Sequence, residues 1–215
     1  MTLEPTMEAR IKQRYAMQVM QLVNKLHFTP EELDVLVIIY HKIVKSKEGI
    51  DKSNEMHKNQ FRQFMYCVCD MTDDLLTERI FATLDKTLSN YTSFETFASA
   101  LSLWLRGTRD EKINYCFSVY DTLGDGFIRR ETLFALLRDS IIKPSDDEAD
   151  EGVRDLVDII MKRMDLDRDG FISFDDYKSS VYRSPLLMQV MGECIPKRNA
   201  LFAFVSSCFE NRGEM

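Results

Sequence analysis

Residues Asp165 to Asp176 read DLDRDGFISFDD, and few folds tolerate carboxylates crowded at alternate positions around one glycine. Alternation of this kind suits a tight twelve-residue turn around a hard divalent cation. Positions 1, 3 and 5 of such a loop supply side-chain oxygens, here Asp165, Asp167 and Asp169. Position 6 takes glycine because the backbone turns sharply, here Gly170, and position 7 offers a backbone carbonyl, here from Phe171. Position 9, Ser173, acts often through water, and position 12, Asp176, closes the cage from the following helix. Asp176 stands where glutamate is usual and is one methylene shorter. Calcium takes about 6 to 8 oxygens at about 2.3–2.6 Å, and magnesium takes six at about 2.0–2.1 Å. The loop is therefore expected to bind calcium more weakly than a typical sensor site, with magnesium as competitor or alternative.

The flanks supply the rest of the motif. Val153, Leu156, Val157, Ile160, Met161 and Met164 recur at helical spacing before the loop, and Phe174, Tyr177 and Val181 do so after it, up to the break at Ser184-Pro185. Helix, loop and helix together make an EF-hand. The same frame recurs at Asp121–Thr132, DTLGDGFIRRET, between Ile113, Cys116, Phe117, Tyr120 and Leu133, Phe134, Leu137. Asp121, Asp125, Gly126 and Phe127 survive there, but positions 3 and 12 are Leu123 and Thr132, and Glu131 falls one residue early. A third copy, Asp85–Thr96, DKTLSNYTSFET, lies between Leu76, Ile80, Phe81, Leu84 and Phe94, Phe97, Leu101, Trp104, Leu105. It keeps Asp85 alone among ligand carboxylates, with Asn90 at the turn. Neither loop is expected to bind calcium tightly.

EF-hands pair, so the two helical patterns either side of Ser46–Lys58 predict a ligand-free fourth unit, partner to the Asp85 loop. Thr29-Pro30-Glu31 and Thr72-Asp73-Asp74 read as helix starts capped by the threonines. Ile128 and Ile172, at position 8 of their loops, predict a short antiparallel bridge. KPSDDEADEG reads as an acidic connector. The fold class is all-α: two paired EF-hand lobes of the calmodulin-like superfamily, with loop-loop β-bridges and extra terminal helices. The expected division is 1–25 as a helical extension, 26–107 and 108–184 as EF-hand pairs, and 185–215 as a helical tail. In that tail PLLMQVMGEC, with Met188 and Met191, is free to dock on the open face of the last pair. ALFAFVSSCF reads as a docking helix for the chain's own groove or a partner's.

Composition narrows the function classes. A chain 45% hydrophobic and 11% aromatic has the material for folded cores. Its charge of −7 divides into +2 over residues 1–62 and −9 beyond, which lacks the basic footprint that nucleic acid demands. No run of about 18 apolar residues predicts a membrane span. The start shows neither a signal-peptide pattern nor a glycine at position 2 for acylation, so no membrane anchor is expected. Five cysteines without paired CxxC motifs suit reduced thiols in a cytoplasmic protein. Cys67 and Cys69, two apart on a helix, share no face and read as helix-packing residues, not metal ligands. His27, His41 and His57 lie in no catalytic signature, and an enzyme is not expected.

Longer strings carry a more specific likeness: Met71-Thr72-Asp73-Asp74, LSLWLRG from Leu101, YCFSVYDTLGDGFI from Tyr115, and DEGVRDLV from Asp150. On these the chain resembles the calaxin family across roughly residues 25–195. The resemblance implies a calcium-responsive regulatory subunit of cilia or flagella that contacts the axonemal outer-arm dynein heavy chain or its docking complex. Calaxin-like proteins carry three ligand-competent loops, whereas here only Asp165, Asp167, Asp169, Phe171, Ser173 and Asp176 match one. Two alternatives stay open: a static axonemal subunit whose one site holds magnesium, and a calcineurin B-like regulatory subunit of an enzyme.

Overall fold

The computed structural model describes residues 4–46, 54–138 and 146–209, and their side chains except those of 146–149, 208 and 209. The chain forms two compact units. The first contains residues 1–72, 84–108 and 196–215, and the second residues 73–83 and 109–195.

In the first unit, α1 (Pro5–Val23) buries Ile11, Tyr15, Val19 and Leu22, one stripe at steps of four and three, against α2 (Pro30–Val44). With α1 on one side and other elements opposite, α2 is apolar nearly all round and buries Leu33, Val35, Leu36, Val37, Ile38 and Tyr40. Its start is built as expected. The Glu32 amide donates to Thr29 Oγ1 (3.3 Å), the Thr29 amide donates to Glu32 Oε2 (2.8 Å), and Pro30 occupies the first turn. The unit continues with β1 (Met56–His57) and α3 (Lys58–Cys69), then, after α4 (Asp74–Leu84), with β2 (Tyr91–Thr92) and α5 (Phe94–Arg106). β1 and β2 pair antiparallel with Met56 opposite Thr92, so the front segment partners the Asp85 loop as expected; residues 47–53 of its polar stretch, on which the ligand-free reading rests, lie outside the described residues.

The Tyr40 hydroxyl joins those two strands from below. It donates to the Thr92 carbonyl (2.7 Å) and accepts from the Met56 amide (3.1 Å). Its ring meets Tyr15, Phe94 and Phe97 in edge and tilted contacts, and burial pushes its pKa upward. On α3, Cys69 is buried while Cys67 is exposed, as residues two apart on a helix must be, so Cys69 alone is a packing residue. His57 caps α3, its Nδ1 accepting from the Asn59 amide.

The second unit contains α6 (Arg109–Tyr120), β3 (Phe127–Ile128), α7 (Arg130–Arg138), α8 (Asp146–Met164), β4 (Ile172–Ser173) and α9 (Phe174–Arg183). The predicted bridge is present, with Ile128 opposite Ile172 and both fully buried. A 3₁₀ turn follows at Pro185–Gln189, and α10 (Arg198–Phe209) contributes to the first unit, with Leu201 buried and Phe204 edge-on to Phe64.

Three sequence expectations change. Asp73, not Thr72, caps α4, since Asp73 Oδ1 accepts from the Leu76 amide at 2.9 Å; an aspartate one residue nearer the helix wins the free N–H. The acidic run read as a connector is helical from Asp146. The units also depart from the linear division. Apart from Leu84, α4 clusters with the second unit, and the tail splits, 185–195 joining the second unit and 196 onward the first.

Tyr40→Phe leaves the Met56 amide buried without an acceptor, so it should destabilise the first unit by about 1–3 kcal/mol. Urea unfolding followed by fluorescence of Trp104, which is buried in the same unit, measures this.

Candidate metal centre

Three loops place an aspartate at position 1 on the concave side of a tight turn, and each loop treats it differently. In the Asp85 loop, Asp85 Oδ1 accepts from the Thr87 amide (3.2 Å), the Thr87 hydroxyl (2.9 Å) and the Ser89 hydroxyl (3.1 Å), and Oδ2 accepts from the Asn90 amide (2.7 Å). Burial raises the Asp85 pKa, but these hydrogen bonds outweigh it and leave the carboxyl below its ordinary value. Donors from the loop itself fill the place of a cation. Asn90 takes positive φ (62°), the turn conformation that asparagine tolerates.

In the Asp121 loop, Asp121 accepts from the Gly124 and Gly126 amides, each at 2.8 Å. Asp125, at position 5, is held by both guanidinium nitrogens of Arg129 at position 9, at 3.1 and 2.5 Å. That contact keeps the Asp125 carboxyl below its ordinary range. Thr132, at position 12, meets Thr122 by a hydroxyl contact of 3.3 Å. A guanidinium is thus built in where a ligand side chain would serve. Sequence reading found the missing carboxylates at Leu123 and Thr132 but not this replacement, although an arginine at position 9, four residues after an aspartate, was the available signal.

The Asp165 loop has neither substitute. Oxygens of Asp165, Asp167 and Asp169 lie within 4.8 Å of one another. Asp165 Oδ2 accepts from the Gly170 amide (3.0 Å), while Asp165 Oδ1 is buried with no hydrogen-bond partner. The Asp169 amide donates to Asp167 Oδ1 (3.2 Å) and the Phe171 amide to Asp169 Oδ1 (2.8 Å), so the loop backbone holds these side chains in place. Gly170 takes φ +91°, where a side chain would be strained. The Asp169 hydrogen bond lowers the Asp167 pKa, but desolvation and the charges of Asp169, Asp176 and Asp165 outweigh it and leave the carboxyl raised. A buried bare oxygen among repelling carboxylates fits a hard cation.

Asp176 is placed less simply. It is buried, and its Oδ2 accepts from the Ser173 hydroxyl (2.7 Å) and amide (3.3 Å), while the Asp176 amide donates to Ser173 Oγ (3.1 Å). Positions 9 and 12 therefore form the reciprocal cap of α9, and Asp176 is outside the three-carboxylate cluster. Phe171 stands on the outside of the loop, edge-on to Phe127 (centroids 5.9 Å apart) and under the Arg129 guanidinium (5.6 Å). The built-in cation of one loop thus touches the residue whose carbonyl is position 7 of the next.

Two outcomes follow from this geometry. Affinity of the Asp165 loop for calcium should fall as pH is lowered through the raised Asp167 pKa and level off above it, because a proton on Asp167 competes with the cation; calorimetry across acidic pH measures this. Arg129→Ala should speed amide hydrogen exchange at Phe127 and Ile128 without adding a second binding event to the calcium titration, since Leu123 and Thr132 still offer no carboxylate.

Comparison with known proteins agrees with the architecture. Residues 110–182 match the EF-hand domain pair family. Calaxin of Danio rerio is 36% identical over 185 residues, 86% of this chain and 88% of the relative, and calaxin of Homo sapiens is 36% identical over 192 residues, 89% and 91%. Calcineurin B of Candida glabrata is 29% identical over 161 residues, 74% and 85%. With two paired EF-hand units and this likeness along most of its length, the chain belongs to the calaxin family, as a divergent calcium-binding regulatory EF-hand protein.

Proposed function

We propose that Asp165, Asp167 and Asp169, with the Phe171 carbonyl, Ser173 and Asp176, hold a calcium ion against competing magnesium, and that this loop tunes a protein contact with axonemal outer-arm dynein in cilia or flagella. The observation that carries the metal assignment is the buried, unpartnered Asp165 Oδ1 beside two further carboxylates. Membership of the calaxin family supports the axonemal partner, either the dynein heavy chain or its docking complex.

A bound cation supplies charge neutralisation and a link between the loop and the first turn of α9. For Asp176 to serve as a ligand, its carboxylate must give up contacts with Ser173, which disturbs the α9 cap. Tyr177 follows at once on α9, and its hydroxyl donates to the Met188 carbonyl (2.5 Å) in the segment after the helix. Movement of Asp176 is therefore transmitted to residues 184–195 through a side chain fully buried in the core. Exposure of apolar surface by this route is the switch a calcium-responsive subunit requires.

The Asp176–Ser173 contact also favours a second reading. If Asp176 stays as the cap, the loop offers fewer oxygens, which suits magnesium and a static structural subunit. Calcium titration in excess magnesium, followed with a dye for apolar surface, separates the two: the switch predicts calcium-dependent dye binding that Asp165→Ala abolishes, and no such signal sinks it. Affinity purification from ciliated cells tests the partner. Dynein components are expected with the wild-type chain, and recovery of an enzyme's catalytic subunit in their place favours the calcineurin B-like alternative.

A further inference from the structure

Residues 184–195 form a strap across α6 and α9 of the second unit, and three tyrosine hydroxyls hold its backbone. Tyr177 donates to the carbonyl of Met188 (2.5 Å), Tyr120 to that of Gly192 (2.6 Å) and Tyr115 to that of Cys194 (3.3 Å). The strap folds back on itself, with the Ile195 amide donating to Gln189 Oε1 (2.8 Å). Gly192 takes φ +127°, and Leu76 of α4 lies so close that a Cβ there would sit 2.3 Å from its Cδ1. Met191 and Cys194 have no exposed surface. Beneath the strap the Cys194 thiol contacts Cys116 of α6, with the sulfurs 3.0 Å apart, and touches the Tyr120 hydroxyl at 3.3 Å. Both thiols are free and buried.

We propose that Cys116 and Cys194 are a disulfide-competent pair whose oxidation locks the strap onto the second unit. Their sulfurs need to approach by only about 1 Å to reach the disulfide length of about 2.05 Å, and the tyrosine contacts already hold Cys194 over its partner. As the structure stands the pair is protected. Contact with Cys194 and burial hold the Cys116 thiol far above its ordinary pKa, so it is protonated and unreactive while the strap is closed. Local opening of the strap exposes Cys194 to a peroxide. The Cys194 thiol ionises, its sulfur attacks one peroxide oxygen to give the sulfenic acid, and the O–O bond breaks so that the other oxygen leaves as hydroxide and takes up the thiol's proton as water. While the strap is still open and the contact that holds the Cys116 proton is absent, the Cys116 thiol gives up that proton and its sulfur attacks the Cys194 sulfur; the sulfenic hydroxyl takes the proton and leaves as a second water, and the strap closes on the new S–S bond. The two thiols lose two electrons and two protons, and one peroxide becomes two waters. The link spans 78 residues, enough to constrain the unfolded chain strongly.

The test uses the full chain treated with hydrogen peroxide, then unfolded, alkylated and mapped without reduction by mass spectrometry. The expected product is a cross-linked peptide pair joining Cys116 to Cys194, reversed by dithiothreitol. In the folded protein, amide exchange across residues 190–195 should slow on the order of tenfold after oxidation. Recovery of Cys116 and Cys194 as alkylated thiols, under conditions that fully oxidise the exposed Cys67, overturns the proposal. Cys116→Ser and Cys194→Ser should each abolish both the cross-link and the slowed exchange. Slowed exchange that persists in either variant also overturns it.

Discussion

A carboxylate facing the inside of a tight loop has to be met by donors or by a cation, because an ion withdrawn from water without a partner is costly. That requirement separates three loops built on one frame. Asp85 is met by two hydroxyls and two amides, and Asp121 by two glycine amides, with an arginine fastened to the neighbouring Asp125. Of the three, only Asp165 keeps an oxygen bare. Loss of ligand carboxylates has therefore not meant loss of loop shape: the two degenerate loops keep their turns with hydrogen bonds from the chain itself.

The retained shape supports the Asp165 loop. β3 and β4 fasten the Asp121 loop to the Asp165 loop through the buried pair Ile128 and Ile172, and Phe127 and Phe171 meet on the outer side of that ladder. In the first unit β1 and β2 pair beside the Asp85 loop, and there the Tyr40 hydroxyl anchors both strands. A ladder of two residues is weak alone. It holds because isoleucines in one case, and a tyrosine hydroxyl in the other, tie it to the core. Degenerate EF-hands in this chain act as splints.

The Asp165 loop and the strap at 184–195 share α9. Its first turn carries Asp176, its next residue is Tyr177, and the Tyr177 hydroxyl ends on Met188. A change in how Asp176 uses its oxygens and a change in how firmly the strap is held act on the same ten-residue helix, one from each end of a short path. Both rest on side chains packed in the second unit.

The EF-hand frame, the number of loops and the three clustered aspartates were legible in the sequence, because each depends on residues close together in the chain: a helical stripe, a glycine at a turn, oxygens at alternate positions. The bridge partners Ile128 and Ile172 were legible for the same reason, since position within the repeat dictates them. Use of particular side chains was not. Asp73 rather than Thr72 caps α4, Asp176 caps α9 instead of joining the cluster, and Arg129 closes on Asp125, each a choice among competing local hydrogen bonds made in the folded geometry. Contacts across long stretches of chain were beyond reach altogether: the meeting of Cys116 with Cys194, and the Tyr120 hydroxyl on the Gly192 carbonyl, bring together residues more than 70 apart. Sequence alone determined that the chain builds paired helix-loop-helix units and that Asp165, Asp167 and Asp169 fall together in one loop, because those patterns repeat locally. Only the tertiary structure decided what meets each aspartate and where the tail lies, because packing selects one partner from several of equal local merit.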